Sequence, residues 1–146
     1  RGHAGREGRR LMRYMLDTNA CIHVMTGRVE GVRQRLSRVP PQLVSISAVV
    51  LAELRFGIHT SAAERRPGNL QALNDFLAMV AVHDWPAEAA DLYGQRRAAL
   101  KAQGLPIGAN DLLIGCHALH LGRVLVTQNL REFERLEGLR VESWVD

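Results

Sequence analysis

Short apolar runs and helix-spaced segments take turns along almost the whole chain, and that alternation narrows the possible folds more than any other feature. Arg13–Leu16, Leu43–Ile46, Val80–Val82, Val124–Val126 and Val141–Val145 have the length and composition of strands. Between them lie segments with helical start and stop signals. A helix through Ala20–Met25 is stopped by Gly27, and another spans Glu30–Arg38 before the Pro40-Pro41 break. Ser47 can cap a helix running to His59. Leu70, Leu73, Phe76 and Leu77 give Asn69–Val80 helical spacing, and Pro86 suits the first turn of a helix reaching Gln103. Asp111–Leu121 reads as a helix closed by Gly122, and Leu130–Leu136 as a short one. Strands alternating with helices pair in parallel and carry helices on both faces. The expected fold class is therefore α/β, a three-layer α/β/α sandwich around a mostly parallel sheet. In such sheets ligands sit beyond the carboxyl ends of the strands.

At 146 residues the chain suits one domain with a sizeable core and is too short for two ordinary ones. Its 47% apolar and 23% charged residues mark a soluble globular composition. No uncharged apolar run reaches the roughly 18 residues a membrane helix needs, so no membrane partner is expected. Residues 1–11 hold four Arg and one Glu, which accounts for +3 of the net +4. The remaining charge is unremarkable, and charge alone does not argue for nucleic acid. That segment lacks apolar periodicity and a signal-type core; it reads as a leader, a cloning remnant or a disordered arm before a single domain over 12–146. Cys21 and Cys116 show no metal or CxxC spacing and fit small core residues in a reducing cytosol.

Four polar positions could carry chemistry. Asp17 ends the first strand, where an open α/β sheet exposes its crevice, although capping of the next helix by Asp17 or Thr18 explains it equally well. Glu53 shares a helix face with Val49, Val50, Phe56 and Gly57. A carboxylate in an apolar stripe loses hydration unless a cation or donors meet it, and a neighbour such as Arg55 could be that partner. Asp111 precedes Ile114, Gly115 and Ala118 at helical spacing, with N-capping by Asp111 or Asn110 as the alternative. Asn129 and Thr127 follow the Val124–Val126 strand and could hydrogen-bond a water, or serve only as turn residues.

Clustered carboxylates raise one another's pKa unless a cation neutralises them, and hard oxygen ligands favour Mg²⁺ or Mn²⁺ over zinc. The histidines suit zinc poorly. His117 and His120 stand three apart without a third ligand, and His23, His59 and His83 are isolated. No GxSxG, P-loop or GxGxxG is present, so serine-nucleophile and nucleotide-phosphate chemistry have no motif support.

Taken together, these residues resemble a known family. Met15-Leu16-Asp17-Thr18-Asn19 resembles the opening of PIN domains, in particular the VapC-like toxins of bacterial toxin–antitoxin pairs. Ala52-Glu53-Leu54-Arg55-Phe56-Gly57 is similar to their second motif, and Ile107-Gly108-Ala109-Asn110-Asp111-Leu112-Leu113-Ile114 to the third. Val126-Thr127-Gln128-Asn129-Leu130-Arg131-Glu132-Phe133 is similar to the fourth, and Gly138–Trp144 matches the ending in style. Each piece is weak, but four in order at the usual separations, over residues 13–146, are strong.

The resemblance implies a PIN-like sandwich, usually a homodimer, that hydrolyses RNA phosphodiester bonds with Mg²⁺ or Mn²⁺. Carried over, Asp17, Glu53 and Asp111 become the metal-binding acids, and catalysis falls to these three with Asn129. An ion held by Asp17 and Asp111 would lower the pKa of its water while Glu53 orients or deprotonates it. The fourth position is often Asp in the family; Asn129 removes a negative charge and weighs against a second ion. The resemblance further implies tRNA or ribosomal RNA as target and a cognate antitoxin that blocks the cleft in a hetero-oligomer. Arg55, Arg96 and Arg97 are expected to hold backbone phosphates. Two other readings remain open at this point. One is a catalytically inactive PIN-like interaction module; the other is an aspartyl phosphotransferase with Asp17 as nucleophile.

Overall fold

The computed structural model describes residues 12–145; the expected leader over 1–11 lies outside the described residues. Among the described residues five strands form one sheet: β1 (Tyr14–Leu16), β2 (Val44–Ser47), β3 (Ala81–His83), β4 (Val124–Val126) and β5 (Val141–Glu142). Their order is β3-β2-β1-β4-β5, and every pairing is parallel. Seven α-helices accompany them: α1 (Thr18–Thr26), α2 (Glu30–Ser37), α3 (Ala48–His59), α4 (Arg66–Leu77), α5 (Ala90–Ala102), α6 (Ala109–Leu121) and α7 (Leu130–Phe133). The expected α/β/α sandwich is the observed fold, with the sheet parallel throughout.

Central strands of a parallel sheet are covered on both faces, so they read as unbroken apolar runs. β1 and β4 behave so: all six of their residues are buried. β3, at one edge, leaves Ala81 and Val82 exposed. The chain steps outward from β1 through β2 to β3 in one direction, then jumps to β4 on the other side of β1. That reversal opens a crevice between the carboxyl ends of β1 and β4. Asp17 follows β1 there, its N–H donating to Val126 O at 3.0 Å.

Local signals set most helix ends. Ser47 caps α3 by accepting from Val49 N at 3.1 Å, and α1 and α6 close on left-handed Gly27 and Gly122. Some boundaries differ from expectation. α4 starts at Arg66, with Pro67 in its first turn, and ends at Leu77, so the next strand begins after Val80. Pro86 is extended and leads into a 3₁₀ turn at Ala87–Ala89 before α5. α7 stops at Phe133. β5 has two residues because its ladder partner ends at Val126; beyond it Trp144 turns inward, edge-on to Tyr14 at 5.4 Å.

The core gathers Met15, Leu16, Ile46 and Leu125 from the sheet with Leu112, Ile114, Phe133 and Leu136. Cys21 and Cys116 are free and buried, as expected of core residues. Gly115 lets α6 and α7 approach closely. A Cβ there would clash with Leu136 Cδ1 and stand 3.3 Å from the Phe133 ring. This approach governs where α7 carries its polar residues.

Candidate active site

Four segments distant in sequence meet at the crevice. Asp17 is 7% exposed. One of its oxygens accepts from Ala20 N at 2.9 Å, so it caps α1, and the Thr127 hydroxyl bonds the carboxylate. Burial raises the Asp17 pKa above the ordinary carboxylate value, and the charge of Glu53 adds to this, while Thr127, the Ala20 N–H and nearby His23 oppose it. Capping and a site role are thus compatible readings of one residue. Thr127 is buried and committed to Asp17; its Oγ1 also accepts from Asn129 N at 2.9 Å.

Glu53 does not sit in a buried apolar stripe. On the face it was expected to share, Val50 is buried, but Phe56 is 70% exposed. Nor does Arg55 pair with it: among the described residues the ion pair within 4 Å is Arg35–Glu142, which involves none of these acids. Glu53 is held by neutral donors. The Thr18 hydroxyl donates to its Oε1, and Asn110 Nδ2 donates to its Oε2 at 3.3 Å.

Asp111 occupies the first turn of α6 but caps nothing, nor does Asn110; the cap position is Gly108, without a side-chain bond. Its pKa is pushed up to about 7, first by burial, then by a hydrogen bond with Glu132 and by the charges of Glu132, Glu53 and Asp17. Glu132 is the acid that sequence reasoning missed. It lies within the fourth motif, three residues after Asn129, yet reads as the solvated face of a short helix. In the fold its Oε1 is buried and has no hydrogen-bond partner. Asn129 is exposed at the start of α7, and its carboxamide makes no hydrogen bond to the described residues.

His23 and His83 are less isolated than expected. His23 lies near Asp17, with Gln128 Nε2 at 3.2 Å from its Nδ1, and the His83 ring faces His117 at 6.4 Å. Arg96 is bonded structurally, its Nη2 donating to Glu137 O at 3.2 Å, whereas Arg55 and Arg97 are exposed. From the rim of Glu53 a cavity of about 470 Å³ opens between α1, α3 and α4, lined by Ile22, Met25, Leu54 and Ile58.

The donor set suits a hard divalent ion. All four side chains offer carboxylate oxygen, the pKa values of Asp17 and Asp111 are raised, one oxygen of Glu132 is buried without a partner, and no Lys or Arg of the described residues pairs with them. Among the described residues, however, no three His, Cys, Asp or Glu groups stand at metal-ligating spacing. The geometry shows an uncompensated carboxylate cluster rather than a formed coordination sphere.

Comparison with known proteins gives this cluster a context. Residues 14–139 match the PIN domain. The chain belongs to the PIN-domain family. Within it the chain groups with the VapC ribonucleases. It is 40% identical over 134 residues to the tRNA(fMet)-specific endonuclease VapC of Salmonella typhimurium, covering 92% of this chain and 99% of that one. It is 37% identical over 134 residues to Ribonuclease VapC2 of Rickettsia felis, covering 91% and 98%. Among solved structures, VapBC2 from Rickettsia felis bound to a DNA fragment from its promoter matches with a TM-score of 0.84 at 36% identity, over 91% of this chain and 99% of that one. In this PIN domain the carboxylate cluster lies at the crevice where Asp17 follows β1.

Proposed function

We propose that this VapC-type ribonuclease is the toxin of a type II toxin–antitoxin pair, hydrolysing phosphodiester bonds in tRNA with the help of Mg²⁺ or Mn²⁺. The observation that carries the proposal is Asp111. Its carboxyl is pushed to about 7 by burial and by acids at the end of β1 and on α3 and α7, with no Lys or Arg of the described residues paired to them. Such an arrangement costs stability unless a cation joins it. Asp17 and Asp111, with Glu53 or Glu132 beside them, would hold that ion. When bound, it supplies Lewis-acid activation of water and neutralises charge on the phosphate.

The chain's own residues do the rest. Thr127 and the Ala20 N–H fix the Asp17 carboxylate. Thr18 and Asn110 orient Glu53, which takes the proton of the attacking water. Asn129, exposed at the start of α7, orients substrate or water. An antitoxin segment is proposed to lie in the cavity between α1, α3 and α4, whose apolar walls end at Glu53. No described helix is long and apolar enough to cross a membrane, which is consistent with action in the cytoplasm, and the active form is proposed to be a homodimer.

The test is cleavage of total tRNA, with fragment ends mapped by sequencing. Cleavage that requires Mg²⁺ or Mn²⁺ and disappears in Asp17→Asn and Asp111→Asn is expected. A folded wild-type chain that leaves tRNA and ribosomal RNA intact at millimolar Mg²⁺ would instead make it a PIN-like module without catalysis.

A further inference from the structure

We propose that a pocket between α5 and the loop entering α6 is a docking site for an RNA backbone phosphate, seated by Arg97 and Lys101 at the end of α6 that carries Asp111. The inference rests on the ribonuclease reading and adds to it the place where substrate is anchored.

A carboxylate cluster repels the polyanion it is meant to cut, so a nuclease of this kind needs cations next to the acids as well as at them. The pocket supplies them. It has a volume of about 320 Å³ and is lined by Arg97, Leu100, Lys101, Pro106, Ile107 and Leu112. Arg97 and Lys101 stand four apart on α5 and so share one face, where like charges repel. Neither forms an ion pair with an acid of the described residues. Ile107 and Leu112 give the pocket a buried apolar floor, and Leu112 directly follows Asp111. The pocket and the acidic site thus share the start of α6.

Arg97 is also held in place. Its Nη1 donates to Tyr93 Oη at 2.8 Å, and its guanidinium carbon lies 5.9 Å from the Tyr93 ring centre. Tyr93 meets Trp85 edge-on at 6.4 Å. Trp85 Nε1 in turn donates to Leu113 O of α6 at 2.8 Å. In the loop entering α6, Pro106 O accepts from Arg135 Nη1 at 3.1 Å, which ties the loop down. An arginine braced this way loses less side-chain freedom on binding a phosphate than a free surface arginine does.

The experiment measures binding of total tRNA across a salt titration in Mg²⁺, with Asp17→Asn as a shared background so that the RNA stays intact. Arg97→Gln/Lys101→Gln is compared with Arg38→Gln/Arg65→Gln, which removes the same charge elsewhere on the surface. The pocket variant should weaken binding roughly tenfold or more at fixed salt. It should also reduce the log–log salt slope by about 0.7, the value for one phosphate no longer neutralised on a single strand. The control should leave both nearly unchanged. Equal effects of the two variants, or an unchanged slope, overturn the inference. So does an unaltered RNA slope accompanied by loss of affinity for an acidic antitoxin peptide, which would assign the pocket to a protein partner. Failure of the ribonuclease reading would show separately, as absence of cleavage by the wild-type chain.

Discussion

Helix α6 carries two half-hidden polar clusters, one at each end of its buried face, and they obey opposite rules. At its start, Asp111 joins Glu132, Glu53 and Asp17. Two turns later His117, fully buried, lies 2.8 Å from Ser47 Oγ. Ser47 Oγ also accepts from Val49 N. Burial, then the positive charges of His83, His120 and Arg123, push the His117 pKa down to about 4. The second cluster lowers its desolvation cost by staying neutral: Nδ1 meets Ser47, while Nε2 is buried without a hydrogen-bond partner. The first keeps several groups of one charge together and reaches the solvent-facing crevice. A buried group that turns neutral can stay in a core with one neutral bond; like charges gathered without a counter-charge mark a place where something binds.

The largest effect should come from Asp17→Asn. Asn caps a helix as well as Asp does, so folding should survive while kcat on tRNA drops on the order of 10²–10³-fold, the scale of losing a charge-stabilising group. A loss of folded protein equal to the loss of activity would erase the distinction between the clusters. His117→Ala should do the reverse. Removing a fully buried ring should cost about 2–4 kcal/mol in urea denaturation, with activity per folded molecule close to wild type. Gly115→Ala links the two regions: its methyl group would press on Leu136 and Phe133 and displace α7 with Glu132. A destabilisation of about 1–3 kcal/mol together with an Asp111 pKa moved back toward its ordinary value by NMR is expected.

The smallest effect sharpens the contrast most. An acid held up to about 7 retains its proton in the folded state while the unfolded chain has released it. Asp111 therefore stabilises below about pH 4, and this is lost as pH rises toward 7. His117, held down to about 4, contributes stability that is present above its ordinary value of 6.5 and lost as pH falls toward 4. The two slopes oppose each other in one window. In Asp111→Asn the urea midpoint should rise more steeply with pH between these limits than in the wild type. Added Mg²⁺ should raise the wild-type midpoint at pH 7 and leave that of Asp111→Asn nearly unmoved. Identical pH profiles in the two proteins would sink the assignment.

Much of the site was legible in order along the chain, but not in its contacts. Asp17 and Asp111 stood out because a strand end and a helix start are places a parallel sheet exposes. Glu53 stood out for the wrong reason: its face carries an exposed Phe56, and its partners are Thr18 and Asn110, which look like ordinary cap residues. Glu132 gave no signal at all, because a glutamate in a one-turn helix after a strand is usually solvated. His83 looked isolated since the 33 residues between it and His117 hide a packing contact.

What the amino-acid order determined by itself is the alternation of strand and helix, the burial of β1 and β4 on both faces, and the placing of each acid at an element's end or middle. Those follow from short-range periodicity and capping, which act over a few residues. Only the tertiary structure decided that Asp111 meets Glu132, that Glu53 is held by neutral donors, and that His117 is sealed against Ser47. Each depends on distance and desolvation between segments 20 to 70 residues apart. Those distances are set by close packing, as of Gly115 against α7, which no local pattern encodes.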